Sequence, residues 1–282
     1  MPVPIPPPPE RLRIAQVLGS LDDKIELNRE LNATLQATAR AIFRSWFADL
    51  SPVRARAEGR PTGLAPDLEG LFPSTFSVGA EGVPEGWSER PLSSIGRFLN
   101  GLALQKYPAD GPDFLPVIKI AELRAGAWND GDRANLAVPT DYVLNDGDLL
   151  FSWSGSLLHR VWCGGRGALN QHLFKVTSDT APVWFLHEAI ELHMPSFRET
   201  AAHKATTMGH IQRRHLDEAL VVIPDAKLLK AADAVIGPMF ERKLLNLKQN
   251  RTLAALRDLI LPKLMSGELR VREAERAIEA VV

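Results

Sequence analysis

Pro112-Asp113, Glu122 and Arg124 come nearest in this chain to a metal-dependent nuclease, in which paired carboxylates hold a divalent cation beside a basic residue. Here the basic residue is Arg and the spacing is short, so an ordinary turn leading into a strand explains them equally well. His187-Glu188 with His193 lacks the i, i+4 histidines of a zinc-protease helix, and the three fall on what reads as a solvated helix face. The run Ser152-Trp153-Ser154-Gly155-Ser156 lacks the preceding glycine of a nucleophile elbow. Gly164-Gly165-Arg166-Gly167 is not followed by the Lys-Ser/Thr of a P-loop. No NPPF- or DPPY-like methyltransferase motif and no glycine signature for S-adenosylmethionine is present. The expectation is a chain with no catalytic residue and no metal ligand.

What remains is binding chemistry. All seven histidines lie between residues 159 and 215, and His203, Lys204, His210, Arg213, Arg214 and His215 fall within thirteen residues. Such a cluster suits phosphate contacts and readout in a DNA groove, and Lys204, His210, Arg213 and Arg214 are the leading candidates. Lys106, Arg124, Arg160 and Arg166 stand beside expected loops and form a second tier. The competing explanation is a solvated helix face beginning after Gly209. Charge balance gives the DNA reading no help: the net charge is −1, and residues 83–224 carry 13 basic against 16 acidic groups. Any DNA contact must be made by a local basic face or with a basic partner.

Two long helices must position these residues. From Arg11 to Asp49, steps of four and three give Ile14, Leu18, Leu21, Ile25, Asn28, Asn32, Leu35, Ala39, Ile42 and Trp46, a heptad seam with charge off it. Helix is expected to stop before Pro52, after a span of about 60 Å at 1.5 Å per residue. A shift of 218 positions returns the same stretch: Val17, Gly19, Leu27, Asn28, Asn32, Thr34, Leu35, Ala37 and Ile42 recur as Val235, Gly237, Leu245, Asn246, Asn250, Thr252, Leu253, Ala255 and Ile260. Chance would give about two such matches. The second copy, from about Ala226 to Met265, keeps the seam except at Lys243 and Arg257. Pro262 should kink its last turn, and Gly267 should end it. Buried amides need partners. Antiparallel pairing of the helices would set Asn28 by Asn250 and Asn32 by Asn246.

The repeat also matches Val3, Ile5 and Pro6 to Val221, Ile223 and Pro224, so residues 1–10 read as the last strand of a preceding globular unit. Helix one takes 11–50, a Gly/Pro-rich linker 51–82, a mixed α/β domain with strands outnumbering helices 83–224, helix two 225–266 and a tail 267–282. The fold class is α+β. A single cysteine, Cys163, excludes an internal disulfide framework. No apolar run is long enough for a membrane span and no signal peptide opens the sequence, so the expected location is cytoplasmic.

SLDDKIELNRELNATLQATARAIFRSWFADLSPVRA (20–55), VPEGW (83–87), GDLLFSWSGS (147–156), LNQHLFKV (169–176), TTMGHIQRRHLDEALVVIP (206–224) and LILPKLMSGELRV (259–271) occur in the order of specificity subunits of type I restriction–modification systems, which the chain resembles over residues 3–271. The resemblance implies a non-catalytic reader of double-stranded DNA: target-recognition domains each read half of a split site, and an antiparallel pair of helices sets their spacing and docks methyltransferase and restriction subunits. S-adenosylmethionine, ATP and Mg²⁺ would belong to those partners. The chain departs from the family plan in having one recognition domain with two conserved helices, which implies a homodimer reading a split palindrome. Blocks shared by domains that read different sequences imply core structure, so Asn170, Gln171 and His172 are expected to make internal hydrogen bonds. The alternatives are a coiled-coil protein adaptor and an inactive fragment of a rearranged specificity gene.

Overall fold

Two long amphipathic helices bracket the chain in a computed structural model that describes residues 6–79, 82–203 and 209–279. Helix α1 (Pro8–Phe43) begins on prolines, whose missing N–H is harmless in a first turn, and helix α8 is Ala226–Ser266. The chain divides into two compact units, one of residues up to Gln36 and from Glu241 onward, the other Ala37–Phe240. Among the described residues no helix is long and apolar enough to cross a membrane. The strand expected at Val3–Pro6 falls mostly outside the described residues.

In the first unit α1 and α8 run antiparallel. Ile14, Val17, Leu21 and Ile25 are buried with Leu253, Ile260 and Leu264 in one apolar seam. The two departures from the seam are answered by polar partners: Arg257 Nη1 lies 2.7 Å from Asp22 Oδ1, and Lys243 Nζ donates to Gln36 Oε1 at 2.7 Å. α8 continues through Pro262 and ends where Gly267 takes φ +77°, a left-handed turn natural to glycine, with the Leu269 N–H donating to the Lys263 carbonyl at 3.0 Å. Residues 267–282 were expected as a tail. Instead Val271–Glu279 forms helix α9, and its Val271, Ala274 and Ile278 close the end of the seam. Three apolar residues at helical spacing are enough to dock a short helix on an existing core.

The second unit takes in more than residues 83–224. α1 leads into a π-helical turn, Arg44–Ala48, whose wider winding lets Trp46 and Phe47 both face inward. Phe43 and Phe47 pack on Phe185 at 5.2 and 5.5 Å between centroids, Trp46 on Phe72 at 5.4 Å, and Phe47 on Trp87 at 6.0 Å. Buried Leu50 holds φ +55°, a conformation costing a branched residue about 1 kcal/mol that the surrounding core must offset. The stretch 51–82 is likewise more than a linker. It contains helices α2 (Ser51–Ala57) and α3 (Pro66–Glu69), and Val53, Ala55 and Phe72 are buried. Helix one does stop before Pro52, at Ala48, and Pro52 itself lies in the first turn of α2.

The strands of this unit are β1 (Ser88–Pro91), β2 (Arg97–Asn100), β3 (Leu115–Ile118), β4 (Arg133–Ala134), β5 (Val143–Leu144), β6 (Leu149–Ser152), β7 (His159–Val161), β8 (Gly167–Leu169), β9 (Leu173–Thr177) and β10 (Leu220–Ile223). They form an antiparallel sheet β2-β9-β6-β7, a mixed sheet β4-β3-β8-β5 and a ribbon β1-β10. Helices α4 (Leu92–Ile95), α5 (Ile120–Ala125), α6 (Val183–His203) and α7 (Arg213–Glu218) connect or cover them. Ile118, Leu123, Leu150, Trp162 and Leu173 make one core, and Leu115, Val117, Val143 and Ala168 another. The run Pro116–Leu123 is strand only to Ile118, because Glu122 Oε2 accepts from the Lys119 N–H at 3.0 Å and starts α5.

Candidate nucleic-acid interface and helix seam

The amides of the seam meet across the helix pair. Asn28, 2% exposed, donates through Nδ2 to Asn250 Oδ1 at 2.8 Å and to Gln249 Oε1 at 2.9 Å. Asn246 Nδ2 donates to Asn32 Oδ1 at 2.9 Å, and Asn250 Nδ2 reaches the Ile25 carbonyl at 3.3 Å. Asn32 Nδ2 is buried and has no hydrogen-bond partner. Four amides in an apolar seam oppose slip, because moving one helix by a turn would leave a single Asn–Asn pair and set the other two amides against Leu253 and Leu35, or against Lys243 and Ile25.

Of the candidate DNA contacts, Lys204 lies outside the described residues. Arg213 and Arg214 open helix α7, where Gln212 N donates to His215 Nδ1 at 2.8 Å and fixes the first turn. Both arginines are exposed. Arg213 Nη2 donates to the Phe98 carbonyl at 3.1 Å, and with Arg97, Ser93 and Asp217 it lines an open pocket of about 490 Å³. His210 sits on a segment paired with the end of β6: Gly155 N donates to the Gly209 carbonyl at 2.8 Å and Ile211 N to the Trp153 carbonyl at 2.9 Å. Trp153 Nε1 is held by Asn100 Oδ1 at 2.8 Å and the Gln171 carbonyl at 3.2 Å. Beside it, His172 N donates to Asn170 Oδ1 at 3.2 Å, and His172 Nδ1 lies 3.0 Å from Ser154 Oγ.

Arg160 behaves differently. Its Nη1 donates to the carbonyls of Arg124 and Leu123, at 2.9 and 3.4 Å, so it caps the carboxyl end of α5. Burial lowers its pKa, partly offset by the nearby Cys163. Gly126, at φ +77°, leaves the room: a Cβ there would come 2.8 Å from the Arg160 guanidinium. Arg124 itself is exposed on α5, and Lys106 is exposed at the end of the 3₁₀ turn Leu104–Lys106. Arg166 is exposed on a turn held by Trp162 Nε1 to the Gly165 carbonyl at 2.6 Å and by Gly165 N to Asp146 Oδ1 at 2.7 Å. The structure thus joins Arg124 with Arg160 and Arg213 with Arg214, and sets Lys106 and Arg166 on separate turns.

Three cations of the domain surface escaped the sequence reading: Arg97, Lys119 and Arg133. Lys119 pairs with Asp132, and Arg133 stacks on Phe114. The only local signal was Trp128 in the loop before Arg133, since Phe114 precedes β3.

The residues that suggested catalysis have structural partners. Glu122 caps α5. His187 and Glu188, expected on a solvated face, are 3% and 5% exposed. His187 Nδ1 lies 2.9 Å from Glu188 Oε1, the ring of His159 stacks near His187 at 4.5 Å, and Arg40 spans Glu188 at 3.4 Å and Glu191 at 2.9 Å. This polar cluster joins α1, β7 and α6, so the face is buried where α1 crosses it. His193 Nε2 donates to the Leu220 carbonyl at 3.0 Å. Among the described residues no group of three or more His, Cys, Asp or Glu side chains gathers as a metal site.

No family model matches the chain. It is 26% identical over 285 residues to the specificity subunit of the type I restriction enzyme MjaIX from Methanocaldococcus jannaschii, covering 96% of this chain and 61% of that protein. It is 24% identical over 314 residues to the specificity subunit of the type I restriction enzyme HindI from Haemophilus influenzae, covering 94% of this chain and 68% of that protein. The crystal structure of the S subunit of a type I restriction–modification system from M. genitalium superposes with a TM-score of 0.50 at 15% identity, over 89% of this chain and 57% of that one. The alignments run through both long helices and the domain between them, and the chain spans about two thirds or less of each relative. Over nearly its whole length the chain is thus similar to specificity subunits of type I restriction enzymes.

Proposed function

We propose that this chain is a non-catalytic DNA-specificity subunit whose α/β unit reads one half of a split site in double-stranded DNA. Its paired helices dock methyltransferase and restriction subunits, which supply S-adenosylmethionine, ATP and Mg²⁺ chemistry. Two copies form a homodimer, so the split site is palindromic. The observation that carries this reading is similarity to named specificity subunits over 96% of the chain. Exposed Arg213 and Arg214 on one turn, with Arg97 close by, supply the local positive face that a net charge of −1 makes necessary.

The test is a gel shift with the chain and its co-purified methyltransferase across a salt series. Sequence-selective binding whose affinity falls steeply with salt is the expected result. Light scattering at micromolar concentration should give the mass of two chains, and a monomer alone would remove the homodimer. A second reading, a coiled-coil adaptor whose domain binds protein, is favoured by the excess of acidic residues in 83–224, 16 against 13 basic. Partner subunits retained without any DNA shift would select it.

A further inference from the structure

The first residue of β4 is an arginine under unusual restraint. The Arg133 guanidinium carbon lies 4.3 Å over the centre of the Phe114 ring and 5.5 Å from that of Trp128, and the two rings are 5.6 Å apart at 49°. Trp128 is anchored by Nε1 donating to the Asp132 carbonyl at 3.3 Å. Arg133 Nη2 donates to Asp130 Oδ1 at 2.5 Å. Asp130 reaches that position from a left-handed backbone, φ +49°, which Asp tolerates better than most residues at a cost of about 1 kcal/mol. The guanidinium is therefore stacked on its face and clamped at one edge, yet its side chain is 45% exposed. Asp130 takes one hydrogen of Nη2; among the described residues Nη1, Nε and the second Nη2 hydrogen have no protein acceptor, so one two-donor edge of the fork stays open.

We propose that Arg133 is a specificity-determining residue that reads a guanine in the major groove, with Phe114, Trp128 and Asp130 as its positioning residues. The inference rests on the DNA-specificity reading above and names a contact within it. An arginine fork presents two N–H donors along one edge, and guanine O6 and N7 are two acceptors along one edge of its base pair; no other base offers that pair. A free arginine must lose most of its rotamer freedom to make this contact. Arg133 has already lost it, so its remaining donors are available at fixed geometry. An exposed brace for β4 would need neither the Asp130 clamp nor the strained turn, because Ala134, wholly buried, already anchors that strand. The neighbouring open pocket, about 330 Å³ and lined by Gln105, Lys119, Asp132, Arg133 and Asn170, gives the same surface further amide and cationic groups.

The experiment is selection of binding sites from a random DNA library by the full chain, purified with the subunits it carries. Arg133→Ala and Arg133→Lys are run beside the wild type, with circular dichroism to confirm folding. The wild type should enrich a motif with at least one required G·C pair. Both variants should keep the rest of that motif and lose discrimination at one G·C pair by about 10- to 100-fold, Lys included, because it keeps the charge and lacks the fork. Asp130→Asn should weaken the same position less. If Arg133→Ala fails to fold, Arg133→Lys decides. A motif unchanged in the folded variants overturns the role of Arg133 and leaves DNA reading intact. No enriched motif with the wild type overturns the DNA reading itself.

Discussion

Asn28 Nδ2 lies 2.8 Å from Asn250 Oδ1, and Asn246 Nδ2, the same atom one repeat of 218 residues later, lies 2.9 Å from Asn32 Oδ1. Donor and acceptor keep their roles under the repeat, so the helix pair has a local two-fold axis through its amide cluster. Asn28→Leu should lower stability by about 1–3 kcal/mol, because Asn250 Oδ1 and Gln249 Oε1 lose a donor in a part-buried seam. Asn28→Leu with Asn250→Leu should cost less than the sum of the single changes, since both polar ends leave together. Urea unfolding of the four proteins of this cycle measures the coupling. Strict additivity would mean that the amides act independently.

Arg40 carries the second prediction. It bridges Glu188 and Glu191, and Glu188 is only 5% exposed. Arg40→Ala would leave a buried carboxylate without its cation. The expected loss is about 2–3 kcal/mol, below the range for a fully buried pair because Arg40 is itself 37% exposed. Adding Glu188→Gln to that variant should restore part of the loss. Thermal unfolding of both is the check, and no recovery would mean that Arg40 acts only through its packing.

These two clusters also mark where a sequence can be read by eye. The long helices and the mixed domain were legible because heptad spacing and short strand-turn alternation are local, and the repeat exposed the antiparallel arrangement. The His187–Glu188–Arg40 cluster was not. Arg40 is 148 residues from Glu188, and nothing local distinguishes a buried ion pair from a solvated one. Val53 and Phe72 in the supposed linker, and Ile278 in the supposed tail, were missed for a related reason. A short helix that buries two or three side chains against a core built elsewhere has too little periodicity of its own. Arg133 needed Phe114, Trp128 and Asp130 to be seen around it, and the partners of Arg160 were not legible because its acceptors are backbone carbonyls, which carry no residue code.

Arg160 should separate from the other candidate contacts in experiment. Arg160→Ala removes hydrogen bonds to the Arg124 and Leu123 carbonyls and should lower the melting temperature, at about 1–2 kcal/mol. If it is only a brace, the slope of DNA affinity against salt stays that of the wild type. A flatter slope with an unchanged melting temperature would restore Arg160 to the DNA contacts.

His193 supplies a pH dependence. Burial lowers its pKa, and the bond it donates to the Leu220 carbonyl only partly opposes that. The unfolded chain therefore takes up the proton before the folded one. The contribution of His193 to stability is intact above the ordinary imidazole pKa of about 6.5 and is lost as pH falls from there through the lower folded value. His193→Gln keeps a donor toward Leu220 and removes the titration. Its stability should decline less than that of the wild type between pH 7 and pH 5 in urea unfolding. Equal slopes would mean that the imidazole titrates alike in both states.

Arg213 and Arg214 bear on whether the surface of α7 meets DNA. Both are exposed on one helical turn, and Arg213 is steadied by the Phe98 carbonyl at 3.1 Å. Two phosphates neutralised by two arginines release about two condensed counterions, so the logarithmic salt slope of binding should shrink by about 1.8 in Arg213→Ala/Arg214→Ala. Affinity should fall by a similar factor on all sequences, because phosphate contacts carry no base information. The fold should survive, as neither side chain contributes to the core. If instead the double variant keeps the full slope but relaxes the sequence preference, these arginines read bases. If slope and preference both persist, the basic face of the domain lies elsewhere, and Arg97 or Lys119 is the next substitution to make.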